Sequence, residues 1–160
     1  MISPLAYVDP SAKIGNNVTI HPFAYIDKNV EIGDANVIMP YASLMSGTRL
    51  GIGITVYQGA VVAANPQDFN YKGDDTIACI GNNNVIRENA VIIRGTFAGN
   101  ETRIGNDNFI MTGSRISHDV TVGNRCIIGN GSQISGNCII EDHAILTSNV
   151  LMQGKTRLGA

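Results

Sequence analysis

Aliphatic residues recur at every sixth position along most of this chain. Counting from Val8 in steps of six, 23 of 26 positions hold an aliphatic residue or methionine, and the exceptions are Asp68, Asp74 and Ala98. A period of six matches neither an amphipathic helix nor a simple alternating strand. It predicts short strands separated by tight turns, with one large aliphatic side chain of each hexad pointing into a core.

A second periodic position, two residues before each large aliphatic residue, is usually small. It includes Ala24, Ala42, Cys126 and Cys138, so both of these cysteines are expected in the core. Three hexads per coil would close a triangular parallel β-helix, and Gly, Asn and Asp at its corners accept the positive φ of tight turns. Residues 1–160 are therefore expected to form one all-β domain with a single long core.

The repeat is interrupted twice without losing its frame of six. The first interruption, Asn65 to Cys79, is polar and carries Phe69 and Tyr71. The second, Phe97 to Arg103, is shorter. Because the aliphatic frame resumes in phase, both are expected to be loop insertions of whole hexads. Irregular loops on a regular scaffold are common places for binding residues.

Composition argues against several kinds of partner. The formal net charge is −2 and no long block of like charges occurs, which disfavours a nucleic-acid partner. No apolar run is long enough for insertion into a membrane. The three cysteines have neither an even count nor C-x-x-C spacing, which favours free thiols over disulfides or zinc. We expect a cytoplasmic protein.

One of the three histidines has neighbours that suit acid–base chemistry. His118 is followed by Asp119, and a carboxylate can orient an imidazole and stabilise its protonated form, as a general base near neutral pH requires. Gly136 lies 18 residues further on, one coil above His118, where its backbone N–H could meet a developing oxyanion. His21 and His143 are expected at the surface. The histidines are not separated by whole coils, so we expect no metal site.

The repeat resembles that of the left-handed hexapeptide-repeat proteins over essentially the whole chain. Parallel crossover connections are right-handed in about 98% of cases, so the left hand is an implication of the resemblance alone. The expected fold is thus a left-handed parallel β-helix with three hexads per coil and two loop insertions. Solenoids of this group usually associate through their sides, and the resemblance implies a homotrimer.

Three stretches resemble one enzyme family more specifically: NPQDFNYKG (65–73), IGNNNVIRENAVIIRGT (80–96) and SRISHDVTVGNRCIIGNGSQISG (114–136). In order and spacing they are similar to the UDP-N-acetylglucosamine 3-O-acyltransferases that begin lipid A synthesis, especially Bacteroidetes members. The resemblance implies transfer of an (R)-3-hydroxyacyl group from acyl carrier protein to the 3-position of UDP-N-acetylglucosamine. It implies no metal and no cofactor other than the carrier-protein thioester.

The same resemblance assigns roles to individual residues. His118 would be the general base on the sugar hydroxyl, Asp119 its partner, and Gly136 an oxyanion-hole donor. Gln67 and Asp68, in the first insertion, would contact the nucleotide sugar.

The chain departs from the family at several positions where histidine is common. Arg115 and Asn137 occupy two of them, and we expect Arg115 to suit a phosphate and Asn137 to hydrogen-bond the substrate. Ile93 and Gln153 are the other two, and Gly154 stands where the family has a glutamine that contacts substrate. Gln153 and Gly154 offer no such replacement. Family members continue with further coils and a helical C-terminal domain, which we expect to be absent.

Two alternatives remain open on the sequence. One is an acetyl-CoA-dependent sugar acetyltransferase on the same fold, which the Gln67-Asp68 pair disfavours. The other is a catalytically degenerate paralogue that serves as a trimeric scaffold. The missing histidines favour the scaffold, whereas the complete set of His118, Asp119 and Gly136 favours an enzyme.

Overall fold

Each hexad forms a short strand followed by a turn. The computed structural model describes residues 1–160, which form 23 strands and no helix. It therefore contains no helix that could cross a membrane. The strands stack in three parallel sheets of eight, eight and seven strands. These sheets are the three faces of a left-handed parallel β-helix, as the repeat and the resemblance predicted.

The strands of one face come from every third hexad. Face one contains β1 (Tyr7–Val8), β4 (Tyr25–Ile26), β7 (Ser43–Leu44), β10 (Val61–Ala64), β13 (Val91–Ile93), β16 (Arg115–Ile116), β19 (Gln133–Ile134) and β22 (Leu151–Met152). Face two contains β2 (Lys13–Ile14), β5 (Glu31–Ile32), β8 (Thr48–Leu50), β11 (Ile77–Ile80), β14 (Glu101–Ile104), β17 (Thr121–Val122), β20 (Ile139–Ile140) and β23 (Arg157–Leu158). Face three contains β3 (Thr19–Ile20), β6 (Val37–Ile38), β9 (Thr55–Val56), β12 (Val85–Ile86), β15 (Phe109–Ile110), β18 (Ile127–Ile128) and β21 (Ile145–Leu146).

The core is one continuous column along the axis of the solenoid. It is a cluster of 33 buried residues that draws on the large aliphatic position of the hexads, for example Ile38, Ile86 and Ile128. Burial of each such side chain stabilises the fold by roughly 1.5–3 kcal/mol. Cys126 and Cys138 occupy small inward positions as predicted, and both thiols are free. Burial raises the pKa of the Cys126 thiol, which keeps it protonated.

The turn from face two to face three repeats one side-chain contact from coil to coil. We call this column the asparagine corner: Asn16, Asp34, Asn82, Asn106, Asn124 and Asp142. The Asn82 N–H donates to Asn106 Oδ1, and the Asn106 N–H to Asn124 Oδ1, each at 2.7 Å. Glycine is required beneath this column because a Cβ on Gly81 would lie 2.3 Å from Asn106 Oδ1.

Both insertions leave the solenoid from the turn between face one and face two, which we call the insertion corner. Leu50 pairs with Ile80 and Ile80 with Ile104, separations of 30 and 24 residues in place of 18. The excess is two hexads and one hexad, so the prediction of whole-hexad insertions is confirmed. The insertions leave in consecutive coils, after β10 and after β13.

The predicted bounds of both insertions were wrong by several residues. The first spans 65–76, because β11 begins at Ile77 and its buried Ala78 pairs with Thr48. The second spans 94–100, because β13 ends at Ile93 and β14 begins at Glu101. The aliphatic frame marks only one residue per strand, so it cannot show where pairing begins or ends beside an insertion.

Candidate active site

Four consecutive coils contribute to one site at the insertion corner. The first two coils supply the two insertions, the third supplies His118 after β16, and the fourth supplies Gly136 after β19. Because each coil returns to the same corner, residues far apart in sequence meet there. The sequence predicted that Gly136 lies one coil above His118, but it did not predict where the two inserted loops would run.

The imidazole of His118 lies between two carboxylates. Its Nδ1 is 2.8 Å from Asp119 Oδ2, and its Nε2 is 3.6 Å from Asp68 Oδ2. The side chains are largely buried: His118 is 16% exposed, Asp119 11% and Asp68 21%. A ring that carries its single proton on Nδ1, donated to Asp119, would leave the Nε2 lone pair free to accept a proton. This is the tautomer that a general base needs.

Asp119 is held by the second insertion and by the strand that follows it. Its two carboxylate oxygens lie 3.3 Å from the Thr96 N–H, and its own N–H donates to Thr102 Oγ1 at 2.9 Å. The residue adopts a φ of 61°, an uncommon backbone conformation that Asp tolerates better than most residues. These contacts fix the carboxylate that orients His118. Thr96 and Thr102 are functional contacts that the sequence analysis missed, and they carry no signal beyond lying beside an insertion.

Asp68 lies at the base of a tight turn within the first insertion. The Asn70 N–H donates to Asp68 Oδ1 at 2.9 Å, and this bond, aided by the nearby His118, lowers the pKa of the Asp68 carboxyl. Thr96 Oγ1 is 3.5 Å from Asp68 Oδ2. The first insertion therefore places an ionised carboxylate on the Nε2 side of the imidazole.

Gly136 packs directly on the imidazole. A Cβ at this position would lie 2.4 Å from His118 Cε1 and 2.5 Å from Nε2, so any larger residue would displace the ring. The Gly136 N–H donates to no group of the chain, whereas the neighbouring Asn137 N–H donates to the His118 carbonyl at 3.1 Å. An unused N–H beside the imidazole is available to a ligand.

A polar groove of about 330 Å³ opens beside the imidazole. It is lined by Gln67, Arg115, Ser117, His118, Gln133, Ile134, Ser135 and Gly136. One guanidinium nitrogen of Arg115 donates to Gln67 Oε1 at 2.8 Å, which joins the first insertion to the wall of the solenoid. The buried Arg115 Nε has no partner. With a single apolar residue in the lining, the groove suits a hydroxylated or anionic ligand.

The remaining predicted site residue, Asn137, lies outside this groove. Its side chain is exposed and makes no hydrogen bond within the chain, and its φ is 61°. Its role therefore stays a prediction. Groove residues that the sequence analysis missed are Ser117, Gln133 and Ser135, which are ordinary polar residues of the repeat and carry no motif of their own.

Chemically, the arrangement provides a proton acceptor, a carboxylate behind it and an N–H donor beside it. His118 can accept a proton from a hydroxyl group in the groove while Asp119 stabilises the resulting imidazolium. The Gly136 N–H can donate to an oxygen that gains negative charge during attack. These are the groups required for transfer of an acyl group to an alcohol.

Comparisons with known proteins agree with this chemistry. The protein-family model described as bacterial transferase hexapeptide (six repeats) matches residues 101–136. UDP-N-acetylglucosamine acyltransferase from Campylobacter jejuni is 31% identical in sequence, with a TM-score of 0.76 over 94% of this chain and 68% of that chain. The chain belongs to the UDP-N-acetylglucosamine acyltransferase family. The resemblance inferred from the three motifs is thereby confirmed.

Other family members are more similar but longer. The LpxA structure, a UDP-N-acetylglucosamine acyltransferase from Bacteroides fragilis 9343, is 50% identical with a TM-score of 0.93, covering 98% of this chain and 66% of that one. The acyl-(acyl-carrier-protein)–UDP-N-acetylglucosamine O-acyltransferase of Chlamydia trachomatis serovar D is 55% identical over 106 residues, or 66% of this chain. The match spans only 38% of the length of that curated relative.

Proposed function

We propose that this protein transfers an (R)-3-hydroxyacyl group from acyl carrier protein to the 3-hydroxyl of UDP-N-acetylglucosamine, the first step of lipid A synthesis. The observation that carries the proposal is the His118 imidazole, bound at Nδ1 by Asp119 and open at Nε2 toward the groove. Similar proteins are named as UDP-N-acetylglucosamine acyltransferases, one of them with an acyl carrier protein as donor, which supports the proposal.

In the proposed mechanism, His118 Nε2 removes the proton of the sugar 3-hydroxyl as its oxygen attacks the thioester carbonyl carbon. The carbonyl oxygen becomes an oxyanion that the Gly136 N–H stabilises. Collapse of the intermediate breaks the carbon–sulfur bond, and the imidazolium returns its proton to the departing thiolate. The products are the sugar ester and the carrier-protein thiol. A positioned general base contributes roughly 10²–10⁴ to the rate.

The first insertion and the groove wall would hold the acceptor. Asp68 faces His118 Nε2 and would accept a hydrogen bond from a sugar hydroxyl, with Gln67 beside it. Arg115 lines the groove and would attract the diphosphate, because a guanidinium pairs well with phosphate oxygens. Asn137 would contact the substrate from the edge of the groove after a side-chain rotation.

We further propose that the enzyme is a cytoplasmic homotrimer that needs no metal. Support for association comes from the first insertion, where the Phe69 ring is fully exposed, and from the second, where Phe97 is half exposed. Large exposed aromatic side chains beside a site are typical of contact surfaces. Sedimentation should give a trimer, and treatment with a chelator should leave activity unchanged. A monomer, or loss of activity with chelator, would contradict these two proposals.

A direct assay tests the function. The purified chain should convert UDP-N-acetylglucosamine to its 3-O-acyl derivative with 3-hydroxyacyl carrier protein, and should show no product with acetyl-CoA. Turnover with acetyl-CoA alone would favour the acetyltransferase alternative. A stable trimer that binds no UDP-sugar at millimolar concentration and uses neither donor would favour the scaffold.

A further inference from the structure

Arg94 is a buried cation without a carboxylate partner. It is 8% exposed, and its guanidinium donates to the Ser46 carbonyl and to the Tyr71 hydroxyl, each at 2.6 Å. Its Nε is buried without a partner. Burial of a charge is costly unless the charge is paired or fully hydrogen-bonded, so a stable solenoid gains little from an arginine here.

The position of Arg94 explains what it contacts. Ser46 follows β7 and Arg94 follows β13, and β10 lies between these strands in face one. The first insertion departs after β10, so the coil between Ser46 and Arg94 lacks its ordinary corner. The Arg94 side chain crosses this gap and contacts the coil below and the insertion at once.

Tyr71 connects Arg94 to Asp68. The Tyr71 N–H donates to the Asp68 carbonyl at 3.0 Å, and the guanidinium of Arg94 lies 5.8 Å from the centre of the Tyr71 ring. The turn that starts at Asp68 is therefore attached to the solenoid at its Tyr71 end. The Asp68 carboxylate, 3.6 Å from His118 Nε2, lies at its other end.

We propose that Arg94, acting through Tyr71, is a positioning residue that sets the Asp68 carboxylate against His118. The inference rests on the proposed function, in which Asp68 contacts the amino sugar. Arg94 itself touches neither His118 nor the groove. Its loss would therefore weaken acceptor binding through Asp68 without removing the base.

The test variant is Tyr71→Phe, which keeps the ring and deletes the hydroxyl that accepts from Arg94 at 2.6 Å and donates to the Asp74 carbonyl at 3.4 Å. Tyr57→Phe is the control, because Arg87 lies 4.5 Å from the Tyr57 ring centre at another corner but donates to Glu88 and not to the Tyr57 hydroxyl. We expect Tyr71→Phe to raise KM for UDP-N-acetylglucosamine by roughly three- to tenfold, the effect of one hydrogen bond, with kcat within about twofold of wild type. Arg94→Lys, which retains a donor, should lie between Tyr71→Phe and wild type.

A double-mutant cycle separates positioning from a general structural role. In an Asp68→Ala background, Tyr71→Phe should change KM by less than about twofold, because its effect passes through the missing carboxylate. An equal change of KM in both backgrounds would overturn the inference.

A readout without substrate distinguishes failure of this inference from failure of the proposed function. Amide hydrogen exchange at Asn70 and Tyr71, whose N–H groups both donate to Asp68, should accelerate about fivefold in Tyr71→Phe and remain at the wild-type rate in Tyr57→Phe. Unchanged exchange in Tyr71→Phe overturns the positioning role. A wild-type protein that neither binds nor acylates the sugar refutes the proposed function, and the exchange measurement then decides the inference alone.

Discussion

The asparagine corner and the insertion corner flank the same face of the solenoid and are built in opposite ways. At the asparagine corner the same contact recurs along the stack, except in the coil where Ile52 supplies no acceptor, and the N–H···Oδ1 bonds to Asn106, Asn124 and Asp142 are all 2.7 Å long. At the insertion corner the coils that form the site carry no such column. There two loops of different length fold against His118.

A repeating column stabilises the solenoid because it satisfies the backbone N–H of successive coils in the same way. For the same reason it brings only like groups together. At the insertion corner, added hexads in consecutive coils interrupt the repetition, and side-chain hydrogen bonds hold the inserted segments together: Thr76 Oγ1, for example, donates to the Gly95 carbonyl at 2.5 Å. There the Asp68 carboxylate, carried by an inserted loop, comes to lie against the imidazole of His118 from a different coil.

The largest expected effect contrasts two corner histidines. His118→Ala should lower kcat by roughly 10²–10⁴, because the general base is removed. Exposed His143, at a corner with φ of 64°, is the matched control, and His143→Ala should leave kcat unchanged. Steady-state kinetics with 3-hydroxyacyl carrier protein would measure both. Similar losses in the two variants would remove the distinction between the corners.

A smaller loss is expected from Gly136→Ala. The added Cβ would overlap the imidazole, and the ring can escape by rotating away from Asp119. We expect kcat to fall about 10²-fold, as misplacement by about 1 Å can do, while Tm changes little. Gly159→Ala is the control, because a Cβ there meets nothing closer than 3.9 Å. If Gly136→Ala lowered kcat by the same factor in a His118→Ala background, its effect would not act through the imidazole.

At the asparagine corner the expected effect is on stability alone. Asn124→Ala removes the acceptor of the Asn106 N–H and should lower the free energy of unfolding by about 1 kcal/mol. Asn130→Ala is the matched control, because the exposed Asn130 side chain makes no hydrogen bond in the chain. Urea unfolding would compare the two. Equal midpoints would show that the column does not stabilise the solenoid, and a change in kcat for Asn124→Ala would show that it is not separate from the site.

The smallest effect concerns pH. The Asn124 N–H holds the pKa of the Asp142 carboxyl below its usual value. A depressed carboxyl pKa adds stability that is present above the unfolded-state pKa of about 3.9 and is lost as the pH falls through the lower folded-state value. In Asp142→Asn, Tm should therefore fall less steeply below about pH 4. A slope identical to that of wild type would contradict this contribution.

Much of the site could be predicted because it follows the period of the coil. His118 and Gly136 are 18 residues apart, and the structure confirms that they lie in register, with the glycine against the imidazole. The order of the motifs also indicated the acyltransferase family. The spacing of the aliphatic positions also indicated that both insertions leave at the same corner, because each adds whole hexads after a strand of face one.

The contacts of the inserted loops could not be predicted from the six-residue period. Arg94, Thr96 and Tyr71 lie within motifs that marked the family, but no rule of spacing assigns Arg94 to Ser46 or Thr96 to Asp119. The strand ends beside the insertions were also missed, because the small inward Ala78 and Thr102 look like loop residues when only the large aliphatic position is counted.

The sequence by itself determined the β-helix, its core and the facing of His118 toward Gly136. These features follow from the six-residue period, because each regular hexad buries one large aliphatic side chain in the same way. The tertiary structure alone decided that Asp68 lies 3.6 Å from His118 Nε2, that Arg115 bonds Gln67, and that the Asn137 side chain remains outside the groove. Loops have no period, so their path depends on specific hydrogen bonds to neighbouring coils, and those bonds exist only once the coils are stacked.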